Sequence, residues 1–143
     1  MEERASFATV VARLCVVTVL AACASRGRFL TTPSGLQYRI VAEGAGAPAM
    51  PGQSVRIHET TTLADGTLIY STRTNGKPLS FLLGGNQVIA GVDEGVTGMR
   101  VGERRTLIVP PSLSKRKEYP ANTPPDATLY YDITLVEILG QDS

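Results

Sequence analysis

The chain has 143 residues, of which 43% are hydrophobic and 19% are charged, a balance typical of one folded globular domain. Lys and Arg number 14 against 13 Asp and Glu, and the resulting formal net charge of +1 argues against a surface that binds nucleic acid. The chain has one histidine, and its two cysteines, Cys15 and Cys23, both lie near the N-terminus. This inventory argues against a metal centre, and we expect no cofactor.

The first predicted element is an export signal. Residues 14–25, LCVVTVLAACAS, carry no charge and follow Arg4 and Arg13, which is the layout of a basic region followed by a short apolar region. The apolar run is shorter than the roughly 20 residues that span a bilayer. We therefore predict a signal peptide over residues 1–22, with a permanent membrane helix as the weaker alternative.

The end of this signal contains a candidate lipidation site. The sequence Leu20-Ala21-Ala22-Cys23 resembles the bacterial lipobox, which implies cleavage before Cys23 and attachment of lipid to its thiol. The predicted mature protein is exported and anchored in the cell envelope, on the periplasmic side of a membrane, with residues 23–34 as a polar tether. The alternative is an ordinary signal-peptidase cut near Ala24, which would leave a soluble secreted or periplasmic protein.

Beyond residue 34 the hydrophobic pattern mostly has a period of two, which predicts β-strands. In the second strand Val55, Ile57, Glu59 and Thr61 share one face. Asp65-Gly66 predicts a tight turn. The predicted strands cover residues 36–42, 55–61, 67–71, 79–83, 104–109 and 127–139.

One segment has helical spacing instead, and one segment has no periodic pattern. Apolar residues recur at helical intervals over residues 88–98, although three glycines weaken this helix, so it must pack against a sheet. Residues 110–125 form a long, polar, proline-rich loop, and a loop of that length in a compact domain suggests a function or the rim of a pocket. Several strands and one helix predict an α+β fold with an antiparallel sheet.

Several spaced blocks then carry a resemblance to a known family. They are Asp65-Gly66-Thr67, Ser71, the segments 76–84 (GKPLSFLLG), 88–96 (VIAGVDEGV) and 98–104 (GMRVGER), Pro110-Pro111, and the segment 124–129 (PPDATL). In this order they resemble the FKBP-type peptidyl-prolyl cis-trans isomerases over about residues 32–139. The resemblance implies a domain over residues 35–140 with a five- to six-stranded antiparallel sheet wrapped around one short helix. It further implies an enzyme that acts on proline-containing polypeptides, and we expect a monomer.

The resemblance also implies a substrate pocket between the helix and the sheet. Val88 and Ile89 match the family's Val-Ile pair, in which the backbone N–H of the isoleucine donates to a substrate carbonyl. The pocket wall and floor are expected to contain Ile69, Leu79, Phe81, Val92 and Tyr131. Taken one at a time, such apolar residues would also fit an ordinary core.

Three polar positions depart from the family pattern. Glu59 stands where the family usually has Tyr, Tyr70 replaces an Asp that is credited with polarising the substrate amide, and Lys115 falls near a substrate-binding Tyr. We assign Glu59 and Tyr70 to the catalytic set and Lys115 to substrate binding. A carboxylate facing an apolar cavity has its charged form disfavoured unless a partner such as Tyr70 or Lys115 supports it. The alternative function is a catalytically silent module that uses the same cleft to hold peptides or a protein partner.

Overall fold

The computed structural model describes residues 27–140, so the predicted signal peptide and Cys23 lie outside the described part. Two helices, α1 and α2, and seven strands, β1 to β7, make up this part of the chain. In chain order they are β1 (Leu30–Thr31), β2 (Gln37–Ala42), β3 (Ser54–Thr62), β4 (Leu68–Ser71), α1 (Thr72–Asn75), β5 (Leu79–Leu82), α2 (Ala90–Val96), β6 (Arg104–Val109) and β7 (Leu129–Leu139). A 3-10 turn, Pro111–Leu113, follows β6.

The strands form one antiparallel sheet in the order β1-β2-β6-β7-β3-β4, and β5 pairs with β3. Strand β5 pairs with residues 54–57 of β3 and β4 pairs with residues 60–62, so these two short strands follow one another along the same edge. The predicted α+β class with an antiparallel sheet is confirmed. The sheet has seven strands rather than five or six, because Leu30–Thr31, expected in the tether, pairs with β2.

The core lies between α2 and the face of the sheet on which the helix packs. The side chains of Val55 and Ile57 on β3 are fully buried, as are Leu107 on β6 and Leu135 on β7. Glu59 and Thr61 continue the same buried face of β3, as the alternation predicted. Burial of these apolar side chains supplies the main stabilisation, at about 25 cal/mol per Å² removed from water.

The main helix is shorter than its periodicity predicted. It covers Ala90–Val96, and Val88 and Ile89 precede it, with Ile89 in an extended conformation at the N-cap position. A positive φ of 88° at Gly98 marks the turn beyond its end. Short as it is, α2 buries Val92 and Val96 against the sheet. Within residues 27–140 no helix has the length and apolarity that a membrane span requires.

Two glycines let α2 approach β6 closely. A Cβ atom at Gly91 would lie 2.5 Å from Cγ1 of Val109, and one at Gly95 would overlap the side chain of Leu107. Glycine is unfavourable inside a helix by about 1 kcal/mol relative to alanine. The close packing of α2 on the sheet explains why the sequence keeps glycine at both positions.

Candidate active site

A cleft opens where the second half of β3 meets β7, β4 and the loop after β6. Its larger cavity has a volume of about 270 Å³. Four strands and the loop contribute its lining, which consists of Glu59, Thr61, Ile69, Tyr70, Leu79, Arg116, Pro120, Thr123, Leu129 and Tyr131. The loop over residues 110–125 therefore borders a cavity, in agreement with its prediction as a rim.

A second cavity of about 170 Å³ adjoins the first at the N-terminal end of α2. The two cavities share Glu59, Arg116 and Tyr131, and the second adds Gln87, Val88, Ile89 and Val92. Within residues 27–140 no hydrogen bond uses the backbone N–H of Ile89. This N–H is thus free to donate to a carbonyl oxygen held in the cleft.

The backbone of Glu59 is fixed by the short helix α1. The Thr72 hydroxyl accepts a hydrogen bond from the Glu59 N–H at 2.9 Å and donates to the Glu59 carbonyl at 3.3 Å. Helix α1 is itself capped by the Ser71 hydroxyl, which accepts from the N–H of Arg73. The sequence did not predict α1, because four residues are too few to show a helical period. With the backbone anchored in this way, the alternation of β3 places the Glu59 side chain on the cleft side of the strand.

The Glu59 carboxyl is nearly buried, with 9% of the residue exposed. Burial raises its pKa from 4.5 to about 7, because the charged form loses its hydration, and the positive charge of Arg116 partly opposes this rise. The expected partners were Tyr70 and Lys115. Tyr70 does line the cleft, but the opposing charge comes from Arg116. Glu59 is consequently a mixture of neutral and charged forms near neutral pH.

Arg116 and Tyr131 complete the polar part of the cleft. The Arg116 guanidinium donates to the Tyr131 hydroxyl at 3.5 Å. Burial, and then the charge of Glu59, raise the pKa of Tyr131, so its hydroxyl stays neutral. Nε of Arg116 and Oγ1 of Thr123 are buried atoms for which the structure shows no hydrogen-bond partner. The cleft thus combines apolar walls with unused polar groups that a ligand can satisfy.

The structure brings most of the predicted site residues together. Five of them line the larger cavity, namely Glu59, Ile69, Tyr70, Leu79 and Tyr131. Val88, Ile89 and Val92 line the smaller one.

Two predicted residues lie elsewhere. Lys115 is exposed and borders a third cavity outside the cleft, and Phe81 is 4% exposed within the core and lines none of the cavities described here. Cys23 lies outside the described residues. Groups of three or more potential metal ligands are absent from residues 27–140.

Sequence reasoning missed several residues of the cleft. Arg116, Thr123 and Pro120 come from the proline-rich loop, where spacing does not reveal which side chain points inward. Thr61 was placed on the correct face of β3 without a role. The sequence signal for a cation in the cleft was the run Lys115-Arg116-Lys117. It identified the part of the loop that reaches the cleft, but not that Arg116 is the residue that lines it.

Comparisons with known proteins agree with this geometry. The family model described as "FKBP-type peptidyl-prolyl cis-trans isomerase" matches residues 46–136. The peptidyl-prolyl cis-trans isomerase FPR2 of Saccharomyces cerevisiae is 42% identical over 106 residues, which cover 73% of this chain and 78% of the yeast protein. A protein of Arabidopsis thaliana named photosynthetic NDH subunit of lumenal location 4, chloroplastic, is 42% identical over 73% of this chain and 54% of its own length.

Solved structures show the same architecture. The crystal structure of AtFKBP13 superposes on this chain with a TM-score of 0.69 at 32% sequence identity. The superposition covers 78% of this chain and 98% of the AtFKBP13 chain. Some relatives are considerably longer, and the chain spans 31% of one of them. The matched region contains β3, β4, β5, the start of α2 and the loop after β6, which all line the cleft.

Proposed function

This chain belongs to the family of FKBP-type peptidyl-prolyl cis-trans isomerases, so it is an isomerase of X–Pro bonds, and we propose that it acts with low turnover on exported or envelope proteins. The observation that supports this use of the cleft is the Val88-Ile89 pair at the start of α2. Its unused N–H borders the smaller cavity, which shares Glu59, Arg116 and Tyr131 with the larger and more apolar cavity against the sheet. No nucleophile or proton transfer is needed for such a reaction.

The physical basis of the reaction is the loss of amide conjugation. Partial double-bond character gives the peptide bond a rotation barrier of about 18–20 kcal/mol, and X–Pro isomerisation takes tens to hundreds of seconds. In the twisted transition state the carbonyl is less polar than in the planar amide, so a water-poor, apolar cleft favours it. In this model Ile89 holds a substrate carbonyl while Ile69, Leu79 and Val92 surround the prolyl ring.

Low turnover follows from the polar substitutions. An ionised Glu59 beside Arg116 makes the cleft more polar and so removes part of the preference for the twisted state. Tyr70 lacks the charge of the Asp that it replaces. These observations also favour one second candidate, a module of the same family that holds proline-containing segments without appreciable turnover.

NMR exchange spectroscopy on a Leu-Pro peptide, with catalytic amounts of the purified protein, tests the activity. We expect cis-trans exchange faster than the uncatalysed rate. Ile89→Glu should abolish this acceleration, because the variant places a charge beside the carbonyl site. If exchange is not accelerated while peptide signals still shift on addition of folded protein, the silent module is the correct function.

A double variant separates the two functions further. Replacing Glu59 by Tyr and Tyr70 by Asp restores the family's polar pattern. If this change raises turnover greatly while peptide affinity hardly changes, the natural protein is mainly a binding module. If it raises turnover only slightly, the natural cleft is already a competent isomerase site.

We further propose that the protein is exported and lipid-anchored through Cys23. The support is the uncharged run over residues 14–25 and its ending Leu20-Ala21-Ala22-Cys23. A relative whose printed name gives a lumenal location agrees with function outside the compartment of synthesis. Intact-mass spectrometry of the membrane-extracted protein should show loss of residues 1–22 and an acylated cysteine. Cys23→Ala should release the protein into the soluble fraction, whereas an unmodified N-terminus near Ala24 would contradict the anchor.

A further inference from the structure

A third cavity lies beside the cleft, and the proposed catalytic site assigns no role to its lysines. It is a groove of about 380 Å³ between the segment that precedes α2 and the loop after β6. Its lining residues are Asn86, Gln87, Val88, Ile89, Lys115, Arg116 and Lys117. All seven are either neutral or positively charged, and a carboxylate is absent from the lining.

The groove is continuous with the cleft. Gln87, Val88, Ile89 and Arg116 border both the groove and the smaller cavity of the cleft. An extended chain advances about 3.3–3.6 Å per residue. A peptide whose carbonyl binds at Ile89 therefore brings residues one or two positions from its proline into the groove.

Two of the three groove cations have no acidic partner within residues 27–140, whereas Arg116 also faces Glu59 in the cleft. The ion pairs that the structure shows in residues 27–140 are Arg56–Glu137, Arg104–Asp132 and Arg105–Glu103. Lys115 and Lys117 are exposed and are not among them, and Nε of Arg116 is buried without a hydrogen-bond partner. Three consecutive positive side chains along one wall attract an anion and repel a cation.

We propose that this groove, defined by Lys115, Arg116 and Lys117, is a specificity subsite for an acidic side chain of the substrate within two residues of its proline. The inference rests on the proposed function, because it assumes that peptides occupy the adjoining cleft. A membrane with anionic headgroups would also be attracted to three cations. The concave shape of the groove and its continuity with the Ile89 N–H favour a peptide side chain over a flat surface.

The test uses two sets of peptides that contain a Leu-Pro pair. In one set Glu, Gln or Lys stands just before the pair, and in the other set it stands just after the pair. Both the affinity from NMR titration and the exchange rate are measured at low ionic strength. The Glu peptide should bind about three- to tenfold more tightly than the Lys peptide at one of the two flanks, and added salt should reduce this ratio.

Lys117→Glu is the informative variant, because Lys117 lines the groove but not the cleft. It should cancel or invert the preference for Glu while leaving the affinity for the Gln peptide unchanged. Lys77→Glu makes the same charge change at an exposed lysine that lines none of the described cavities, and it should leave the preference intact.

Peptide affinity is measured independently of turnover, so the charge preference can be determined even if the protein does not catalyse isomerisation. If the protein does not accelerate cis-trans exchange but binds the Glu peptide more tightly, the result contradicts the proposed catalysis and supports the subsite. Equal affinities for Glu and Lys peptides, or a preference that survives Lys117→Glu, would overturn the subsite. Loss of binding to anionic vesicles in Lys117→Glu, with peptide affinities unchanged, would overturn it in favour of a membrane contact.

Discussion

The two halves of strand β3 present the same face of one strand to different surroundings. Val55 and Ile57 in the first half are fully buried among apolar side chains, opposite Phe81 and Leu79 of β5. Glu59 and Thr61 in the second half point to the same side but line the cleft with Arg116. The comparison shows that a single alternating pattern builds a stabilising core at one end of the strand and contributes polar groups to a cleft at the other.

The largest expected effect removes an apolar side chain from the first half. Ile57→Ala leaves a cavity in a fully buried position and should lower the free energy of unfolding by about 2–5 kcal/mol. Urea denaturation followed by circular dichroism measures it. Val136→Ala is the control, because Val136 on the neighbouring strand β7 is 37% exposed, and it should change stability by less than about 0.5 kcal/mol.

If Ile57→Ala proves as mild as the control, the first half of β3 is not the rigid core described here. Peptide affinity per folded molecule should be unchanged in Ile57→Ala, because Ile57 does not line the cleft. A selective loss of peptide affinity would show that the two halves of β3 are coupled.

The second expected effect concerns Glu59 and depends on pH. Its pKa of about 7 in the folded state lies above the 4.5 that is usual for a glutamate, so the folded state binds the proton more tightly than the unfolded state. Stability from this group is therefore fully present below about pH 4.5 and is lost as pH rises through 7. Glu59→Gln, which stays neutral, should be more stable than the natural protein at pH 8 by on the order of 3 kcal/mol and similar to it at pH 4.5.

Urea denaturation at several values between pH 4.5 and pH 8 tests this prediction. Exposed Glu118 supplies the control, since Glu118→Gln should follow the natural protein at every pH. Turnover should also fall as pH rises through 7 in the natural protein, because ionisation makes the cleft more polar. A stability profile of Glu59→Gln that is parallel to that of the natural protein would show that the carboxyl is better hydrated than its burial indicates.

An intermediate effect is expected at the boundary between core and cleft. Gly91→Ala places a methyl group against Val109 and should cost about 1–3 kcal/mol of stability, reduced by up to about 1 kcal/mol through better helix propensity. Because Gly91 lies two residues after Ile89, displacement of α2 should also lower kcat/KM.

Gly95→Ala is the matched control for this prediction. It makes the same change on the same helix, against Leu107, but at the end far from Ile89. Both variants should be less stable than the natural protein. Only Gly91→Ala should also have a lower kcat/KM per folded molecule. Equal losses of activity would indicate that α2 moves as one rigid body and that its N-terminal end has no separate role.

The sequence predicted the side-chain positions on β3 better than those in the loop after β6 or at the start of α2. The period-two alternation on β3 placed Glu59 on the buried face, because in a strand the side-chain direction follows from residue number alone. The loop over residues 110–125 has no such rule, so Lys115 was expected in the cleft where Arg116 lies. The helical period extended α2 to Val88 and Ile89, but the helix begins at Ala90, and these two partly buried residues precede it at the edge of the cleft.

The smallest expected effect tests the charge that faces Glu59. Arg116→Met keeps an apolar side chain of similar reach but removes the positive charge that lowers the pKa of Glu59. The pKa should therefore rise above about 7, and the fall in turnover should move to higher pH. Burial raises the pKa of Tyr131, which contacts Arg116, so its hydroxyl does not titrate together with Glu59.

Carbon-13 NMR of the Glu59 carboxyl across the titration measures this shift directly. Lys115→Met is the control, because it removes a neighbouring cation that is exposed and lines only the groove. It should leave the pKa of Glu59 in place, since solvent screens an exposed charge more strongly than a half-buried one. Equal shifts in both variants would mean that the cleft senses the summed charge of the loop. In that case the polar half of β3 would be tuned by the whole Lys115-Arg116-Lys117 run and not by the one side chain that enters the cleft.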